Sequence, residues 1–547
     1  MNINTQVLII GAGVTGAGLM RDLALRGISS VLVEKGDINA GASGGNHGLL
    51  HSGARYIESD PAAAKECRIE SAILKKTAPH CIEETGGLFV SFEGDDPAYA
   101  ISFPERCSKS GIAVTRLTPE EALSLEPSLS KRITHAYKVK DASVDPFKLS
   151  IDNISHAESN GGLFLPYKKV VRFDMEKKRI RRVYLNDTKT GEESTVTAEI
   201  VVSATGAWAG KTAALAGITI NMLFSKGSLL VTHKRITKHV INRLRHPSDG
   251  DILVPGGTVS ILGTTSVRVD SPDCFRPTIP EVDHIITEGA VMIPGLETTR
   301  YIRAYSGIRP LVLSTSPASS HDTGVSGGDG NSDLACDDRD ISRGFTLIDH
   351  TCDGVGNFIT ITGGKLTTYR LMAEKTADIV CRRLGVTTPS ITGVTPLPPG
   401  ESGKYTEPGL APRLWIKNND SGDTLLCECE MVSQSMVDTV LKGIKAQHQK
   451  PSLKAVGLRS RIGKGSCQGG FCSMRVAAYM YDKEAFNGRG GISDLKAFLD
   501  ERWRGQKPLM WGASIIQAEL QEALHCGLFS LELAPPFITS SDSENGR

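Results

Sequence analysis

The sequence lacks both an excess of charge and a long apolar run. Its 62 lysine and arginine residues nearly cancel 61 aspartate and glutamate residues, which leaves a formal net charge of +1. This balance gives no reason to expect nucleic acid or an anionic membrane as the main partner. No segment approaches the roughly 20 consecutive apolar residues that span a bilayer. We therefore expect a chain with no transmembrane segment of its own.

A convincing export signal is also missing. The first twenty residues contain an apolar stretch, but no basic segment precedes it and four glycines interrupt it, which is a poor signal peptide. Without export, the twelve cysteines are not expected to form a disulfide framework. Close cysteine pairs in a reducing compartment more often hold metal or carry out redox chemistry. The length of 547 residues predicts roughly two to four globular domains.

The sequence does have a dinucleotide-binding pattern near its start. Residues 6–27, QVLIIGAGVTGAGLMRDLALRG, predict a strand, a glycine turn and a helix. Gly11 permits the turn, Gly13 lets the backbone approach a pyrophosphate, and Gly16 allows the helix to pack closely on the strand. The following strand, SVLVE, ends at Glu34, where a carboxylate is suited to hold a ribose hydroxyl.

A second pattern favours FAD over NAD as the dinucleotide. Residues 198–217, AEIVVSATGAWAGKTAALAG, predict an apolar strand that ends at Ala204 and Gly206. In FAD proteins of the glutathione-reductase-like type, such a strand returns beside the first and its glycine passes close to the cofactor. No second GxGxxG motif occurs in a strand–helix–strand setting. FAD is therefore expected as the sole bound nucleotide, and transfer of the electrons to NAD, which would form NADH, is disfavoured.

Four cysteines form two close pairs in the carboxyl-terminal part. Cys427 and Cys429 are separated by one residue, and Cys467 and Cys472 by four. Two such pairs can supply four thiolates to one centre, either Zn²⁺ or an iron–sulfur cluster. The spacing of Cys427 and Cys429 is tight for a zinc knuckle. In addition, a reduced flavin that is not reoxidised by NAD needs a one-electron acceptor. These points favour a [2Fe–2S] cluster, with zinc and unliganded thiols as the alternatives.

Charged residues around these cysteines fit an anionic, thiolate-bound centre. We expect Arg459, Arg461 and Lys464 to offset the acids Glu428 and Glu430. The segments QSMVDTVLKGIK and CSMRVAAYMYDKEAF predict helices whose amino termini would direct partial positive charge at the centre.

Basic residues in glycine-containing segments predict a site for an anionic substrate. They are Arg55 in GNHGLLHSGARY, Arg309 in RAYSGIRPL, Arg343 in ISRGFTLID and Lys365 in ITITGGKLTTYR. Arginine suits bidentate recognition of phosphate, and lysine acts as a point charge. For any single arginine, an ordinary ion pair is the commoner alternative. Gly364 precedes a predicted helix whose amino terminus could face the anionic edge of a reduced flavin.

Seven ordered blocks resemble FAD-dependent glycerol-3-phosphate dehydrogenases over about residues 1–385. They are GAGVTGAG, LLHSGARY, SATGAWAG, KGSLLV, ILGTTS, AYSGIRPL and GGKLTTYR. The CEC…GSCQGGFC tail is similar to the small [2Fe–2S] module in the large catalytic subunit of the anaerobic members. The resemblance implies oxidation of sn-glycerol 3-phosphate to dihydroxyacetone phosphate. It also implies companion electron-transfer and membrane-anchor subunits that lead to a membrane quinone, with this cytoplasmic chain peripheral to the cell membrane.

The resemblance also implies roles for individual residues. By matched position, Arg55, Arg309, Arg343 and Lys365 fall on the substrate site of the family. The same matching places Ser43 and Leu50 in the loop that contacts FAD.

A histidine is the candidate general base. We assign this role to His51, because an imidazole titrates near neutral pH. A structural histidine that bonds a backbone carbonyl is an equally common alternative, and His47 and His233 are weaker candidates. Arg309 and Arg343 are expected to bind phosphate or hydroxyl, and Lys365 to place positive charge beside flavin and substrate.

The predicted fold class is α/β. It comprises a Rossmann-like, glutathione-reductase-like FAD lobe, an antiparallel substrate lobe and a small helical [2Fe–2S] module. The predicted boundaries are 1–90, 145–215 and 345–385 for the FAD lobe, 91–144 and 216–344 for the substrate lobe, 386–423 for a linker, 424–480 for a BFD-like [2Fe–2S] domain, and 481–547 for a carboxyl-terminal helical segment. Residues 314–338 predict a polar insert.

Two other functions remain open on the sequence. A related flavin enzyme could oxidise a hydroxy acid or a secondary amine, for which a carboxylate clamp with fewer cations would suffice. A non-catalytic electron-transfer or redox-sensing subunit would bind FAD and cluster without being reduced by a small alcohol phosphate.

Overall fold

The structure, a computed structural model, describes residues 2–273, 275–313, 344–399, 420–447 and 449–528, together with Leu531. Arg343, the predicted insert at 314–338 and much of the predicted linker lie outside the described residues. Within the described ranges, no helix is both long enough and apolar enough to cross a membrane.

The strands and helices follow in chain order. The strands are β1 Asn2–Ile10, β2 Ser30–Val33, β3 Leu49–Leu50, β4 Ile82–Glu83, β5 Gly87–Phe92, β6 Thr115–Leu117, β7 Ile133–Val139, β8 Ala142–Val144, β9 Leu163–Leu165, β10 Lys168–Glu176, β11 Arg179–Asp187, β12 Glu193–Ser203, β13 Met222–Thr232, β14 Val240–Arg243, β15 Ile252–Gly256, β16 Val259–Gly263, β17 Val267–Val269, β18 Tyr301–Val312, β19 Phe345–Asp349, β20 Phe358–Gly363, β21 Leu425–Cys427 and β22 Val432–Ser433. The helices are α1 Val14–Leu25, α2 Pro61–Thr77, α3 Pro97–Lys109, α4 Pro119–Leu125, α5 Pro146–Glu158, α6 Ala209–Ala214, α7 Ile279–Met292, α8 Tyr369–Leu384, α9 Gln434–Ala446, α10 Leu453–Arg459, α11 Cys472–Asp482, α12 Gly490–Gln506 and α13 Ala513–Glu522.

The first sheet builds the lobe that contains the glycine turn. Its order is β10-β11-β12-β1-β2-β9, with β20 also beside β12 and β19 beside β20. Strand β1 runs parallel to β12 and β2. Side chains from β1 enter the core on both faces: Val7 and Ile9 pack in the core that includes α1 and α8, and Leu8 and Ile10 in a second core. Burial on both faces explains the unbroken apolar run at residues 7–10.

The second sheet forms the other lobe and is mostly antiparallel. Its order is β17-β13-β16-β15-β14-β5-β7-β6, with β18 also beside β13. Strand β5 belongs to this sheet, through pairs with β14 and β7, although the predicted lobe boundary at residue 90 cuts through it. The long β13–β18 pair sets Arg309 opposite Ser225 and Gly307 opposite Gly227. The predicted α/β class, with mixed sheets, is confirmed.

The carboxyl-terminal module has its own core around β21, β22 and helices α9 to α12. Buried residues of this core include Val437, Ile444, Val456 and Met480. The two helices predicted after the cysteine pairs are present as α9 and α11. Phe498 of α12 is also buried in this core, so the compact unit continues beyond the predicted end at residue 480.

A buried ion pair joins the module to the FAD lobe. The two terminal nitrogens of Arg459 lie 3.0 and 3.1 Å from the carboxylate oxygens of Asp37, and both side chains are 1% exposed. The Tyr167 hydroxyl also donates to Asp37, at 3.1 Å. Burial would raise the pKa of Asp37, but the Arg459 guanidinium outweighs it and holds the pKa below its usual value.

This pair corrects the expectation that Arg459 offsets acids beside the cysteines. Arg461 does pair with Glu430, as expected. Glu428, however, pairs with Arg475. The Lys464 Nζ lies 4.8 Å from the centroid of the Phe147 ring.

We predict that Asp37→Asn loosens the module. Removing one partner of a buried pair costs about 3–5 kcal/mol, because the other charge stays buried without compensation. Amide hydrogen exchange in α10 and α12 should accelerate, and the melting temperature should fall. Because the folded pKa of Asp37 is lowered, the wild-type pair stabilises the fold above the ordinary carboxylate pKa of about 3.9. That stability is lost as the pH falls through the folded pKa.

Glu93→Gln is the matched control. Its partner Arg132 and Glu93 itself are 68% and 62% exposed, and exposed pairs contribute about 1 kcal/mol or less. Equal exchange rates in α10 for both variants would contradict the assigned role of Asp37.

Candidate active site

The turn between β1 and α1 is packed so tightly that side chains are excluded. A Cβ on Gly16 would lie 1.9 Å from the Gly11 carbonyl oxygen. Gly11 has φ +105°, and a Cβ there would lie 2.7 Å from the Ala204 carbonyl oxygen. Helix α1 begins after Gly13, and this N-cap residue makes no side-chain hydrogen bond to the first turn. Its first N–H, at Val14, donates to the Ser43 Oγ at 3.0 Å.

Glu34 ties this turn to the end of β2. Its two carboxylate oxygens accept hydrogen bonds from the Ala12 N–H at 2.9 Å and the Gly36 N–H at 2.8 Å. Burial raises the pKa of Glu34, and these two donors oppose that effect. The carboxylate is therefore held at the carboxyl edge of the parallel strands, beside the glycine turn.

A cavity of about 1180 Å³ opens from this turn. The predicted site residues that line it are Gly11, Gly13, Glu34, Ser43, His51, Arg55, Ala204, Gly206, Arg309, Gly364 and Lys365. Gly16 lies behind the turn, in its predicted packing role. Leu50 packs in a core with Val14 and Tyr369, while its neighbours Leu49 and His51 reach the cavity.

The cavity fits a dinucleotide. Its size suits a large cofactor, and the amino terminus of α1, where Ser43 occupies only the Val14 N–H, directs further N–H groups and partial positive charge at a pyrophosphate. The loop at 41–47 forms one wall and packs directly on β18: a Cβ on Gly45 would lie 2.8 Å from the Gly307 Cα. The Tyr305 hydroxyl donates to the Asn46 carbonyl at 2.7 Å, which fixes the same loop.

Three cations, Arg309, Arg55 and Lys365, line this cavity, and neighbouring loops hold the two arginines. The Arg309 guanidinium donates to the Thr265 carbonyl at 3.1 Å and also contacts the Thr264 hydroxyl. The Arg55 guanidinium pairs with buried Asp251 at 2.7 Å, which offsets part of its charge. The Lys365 Nζ lies 4.4 Å from the centroid of the Tyr56 ring. Sequence reasoning missed Tyr56, although it follows Arg55 directly in the block LLHSGARY.

His51 lines the same cavity and contacts Tyr56. Its Nε2 is 3.2 Å from the Tyr56 hydroxyl, and its backbone N–H donates to the Thr367 hydroxyl at 3.1 Å. His47 also lines the cavity, with its ring centroid 6.2 Å from that of His51. Burial, together with the Arg309 and Arg55 guanidiniums, lowers the pKa of His47 to about 3.

These positions separate the three histidines. At a pKa of about 3, His47 is a poor proton acceptor at neutral pH. His233 faces the Arg300 carbonyl at 3.1 Å and does not line the cavity. His51 is thus the histidine whose position best suits proton transfer.

The four predicted cysteines converge in the module. The Cys429 Sγ donates to the Cys467 Sγ at 3.3 Å. Each thiol interacts with two others, in the ring order 427, 429, 467, 472. Hydrogen bonds from Cys429 and Cys472 lower the pKa of Cys467 to about 2. Four convergent thiols with one stabilised thiolate form a donor set that fits a metal centre.

Comparison with known proteins agrees with this geometry. The model of the family described as FAD dependent oxidoreductase matches residues 6–370. The A subunit of the anaerobic glycerol-3-phosphate dehydrogenase of Escherichia coli (strain K12) is 40% identical over 551 residues, which cover 97% of each chain. This chain belongs to that FAD-dependent family. The predicted resemblance and FAD dependence are thereby confirmed.

Two further relatives support the family assignment. The corresponding protein of Haemophilus influenzae, also named as the A subunit, is 40% identical and covers 98% of this chain and 95% of its own. The glycerol-3-phosphate dehydrogenase from Bacillus halodurans, solved in complex with FAD, superposes with a TM-score of 0.64 at 21% identity. That superposition covers 93% of this chain and 96% of the other, and it shows that the family fold extends over most of the chain.

We predict that Gly16→Ala weakens FAD binding about 10- to 100-fold, since overpacking a tight contact costs about 1–3 kcal/mol. The flavin content after extensive dialysis measures the effect. Gly295→Ala is the control, because a Cβ there meets nothing within 4 Å. Full flavin retention in Gly16→Ala would show that the turn does not bind the pyrophosphate.

Proposed function

We propose that this chain oxidises sn-glycerol 3-phosphate to dihydroxyacetone phosphate. The observation that carries this proposal is that Arg309, Lys365 and Arg55 line the same dinucleotide-sized cavity as His51. A phosphate dianion needs cations, and a secondary alcohol needs a proton acceptor. Both lie within one continuous cavity.

The cations have different tasks in this proposal. Arg309 binds the phosphate, so that substrate binding also orients the carbinol carbon, and Lys365 places positive charge beside the reacting hydroxyl. Asp251 offsets part of the Arg55 charge, and the Arg243 carbonyl accepts a hydrogen bond from the same guanidinium at 3.3 Å. Arg55 therefore shapes the site more than it adds net charge. The predicted role of Arg343 falls outside the described residues.

Proton transfer is assigned to His51. When bound, FAD supplies the acceptor for the hydride that leaves C2 of the alcohol. The His51 Nε2 lies 3.2 Å from the Tyr56 hydroxyl, which orients the imidazole, and this ring is the group assigned to accept the hydroxyl proton. The Lys365 ammonium stabilises alkoxide-like charge that develops on the substrate oxygen.

We propose further that the four cysteines hold a [2Fe–2S] cluster. One zinc ion with Zn–S bonds of about 2.3 Å would place all four sulfurs about 3.8 Å apart. Among the described residues, His80, Cys81 and Asp152 form a group of possible metal ligands whose donor atoms all lie within 4.8 Å of one another. No three of the four thiols, which the structure also describes, meet that limit. Four thiolates supply the two ligands that each iron of such a cluster takes, and a reduced flavin without an NAD site needs a one-electron acceptor.

Companion subunits complete the proposal. The relatives are named as the A subunit of an anaerobic enzyme, which supports electron-transfer and membrane-anchor partners for this chain. Electrons would leave through these partners to a membrane quinone, with the chain peripheral on the inner face of the membrane. The sequence has a single dinucleotide-binding motif and so no second nucleotide site for NAD. This also supports electron transfer to the partner subunits.

The substrate assignment predicts selective flavin bleaching. Protein purified anaerobically should lose its oxidised flavin absorbance with sn-glycerol 3-phosphate, but not with glycerol, lactate or sarcosine, because only the phosphate engages the cations. Bleaching by lactate or sarcosine alone would identify a hydroxy-acid or amine oxidising enzyme instead. No bleaching by any of them would indicate an electron-transfer subunit.

Arg309→Ala tests the phosphate contact in the same assay. Hydrogen bonds to charged groups contribute about 1.5–3 kcal/mol, so kcat/KM should fall roughly 10–100-fold. Arg132→Ala is the control, because Arg132 is 68% exposed. Unchanged kinetics in Arg309→Ala would exclude that residue from the substrate site.

Cys467→Ser should separate the two half-reactions. Substrate should still reduce FAD, but transfer to a quinone-linked acceptor should stop, because one thiolate of the cluster is lost. Cys352→Ser, which changes an exposed thiol outside the ring, should retain both steps. A normal rate of acceptor reduction in Cys467→Ser would place the cluster off the electron route.

A further inference from the structure

A short series of contacts joins the wall of the FAD cavity to the cysteine ring. Gly44 stands between Ser43 and Gly45, which both line the cavity. A Cβ on Gly44 would lie 3.0 Å from the tip of the Phe147 ring. Phe147 is the second residue of α5 and packs against the apolar core of the FAD lobe. The ring is therefore held by the FAD lobe and touches the backbone of the cavity wall.

The module supplies the other half of this series. The Lys464 Nζ lies 4.8 Å from the centroid of the Phe147 ring. The next residue, Gly465, is so close to the cysteines that a Cβ there would lie 2.7 Å from the Cys429 Cβ. One aromatic ring and one lysine thus connect the cavity wall to the thiols.

We infer that Phe147 and Lys464 form the path for electrons from the FAD cavity to the cysteine centre, and that the Lys464 charge favours reduction of that centre. This inference rests on the function proposed above. Each substrate molecule leaves two electrons with FAD. Two successive one-electron transfers carry them to the cluster, with no bond made or broken in the module. The flavin protons pass to solvent, and each electron then moves to a redox group in a companion subunit.

The location of Lys464 explains its electrostatic effect. A four-thiolate iron centre is anionic and gains negative charge on reduction. The Lys464 ammonium belongs to the residue next to Gly465, which packs on Cys429; on this inference, its charge stabilises the reduced form. Burial lowers the pKa of Lys464 to about 8, which leaves the side chain mostly cationic at neutral pH. The charged groups that act on it are Asp145 and Glu430, which favour the cation, and Arg461 and Arg502, which oppose it.

The docking of the module keeps this path short. The Arg459–Asp37 pair lies in the same interface, between α10 and the loop after β2. A second link joins the Gln447 amide to Glu158 of α5 at 3.0 Å. Both links hold the module against the lobe that carries Phe147, so Phe147 and Lys464 stay close to each other.

The test uses the anaerobic holoprotein with Lys464→Met, Lys464→Arg and Phe147→Leu. Lys483→Met is the matched control: its Nζ lies 5.1 Å from the Tyr479 ring of the same module. An EPR-monitored redox titration gives the cluster potential. Stopped-flow mixing with glycerol 3-phosphate gives the rates of flavin bleaching and of cluster reduction as separate signals.

Lys464→Met should shift the cluster equilibrium about tenfold toward the oxidised form, which is a fall of about 59 mV for a one-electron couple. Lys464→Arg should keep the wild-type potential, because it keeps the charge. Phe147→Leu should slow cluster reduction while flavin bleaching keeps its rate. Lys483→Met should match the wild type in every measurement.

Two results would overturn the inference, each at a different level. An unchanged potential in Lys464→Met together with unchanged cluster reduction in Phe147→Leu would remove these residues from the path. The potential is measured by chemical titration and needs no turnover, so it judges Lys464 even in a variant with impaired activity. A wild-type cluster that substrate never reduces would reject the proposed function itself, and the path with it.

Discussion

The buried contact between Arg459 and Asp37 determines how the rest of the molecule works as one unit. It places a small, separately folded module against the lobe that contains the glycine turn. Both charges are almost fully removed from solvent, so neither can be left without its partner at low cost. The pair therefore favours one docked arrangement over a freely hinged module, and it keeps the cysteine ring beside the cavity wall.

The substrate end depends on a second constraint, the pairing of β13 with β18. That pairing sets Arg309 across from Ser225, and the loops around it supply the acceptors that orient the guanidinium. Cations fixed by a sheet lose little conformational entropy when an anion binds. The lobe thus presents preset charge to the dinucleotide lobe, which under the proposed function would hold the carbinol carbon of a bound phosphate ester in one orientation.

Features that depend on neighbouring residues were predictable from the sequence. The Gly11, Gly13 and Gly16 pattern and the terminal acid Glu34 lie within one strand–helix–strand unit, and the structure places them as expected. Contacts between residues far apart in the chain were harder to predict from the sequence. Arg459 was assigned to nearby acids, but its partner Asp37 is 422 positions away in the chain. No local sequence pattern indicates a partner so far away in the chain, because docking between folded units depends on surfaces that exist only after both units have formed.

The cysteine ring is shielded unevenly. Cys427 and Cys472 are buried, whereas Cys429 and Cys467 retain partial solvent access. Dioxygen and chelators can therefore attack such a centre mainly from one flank. A companion subunit that covers this flank to collect electrons would also protect the centre from oxidative damage, so assembly and survival of the cluster in air become linked.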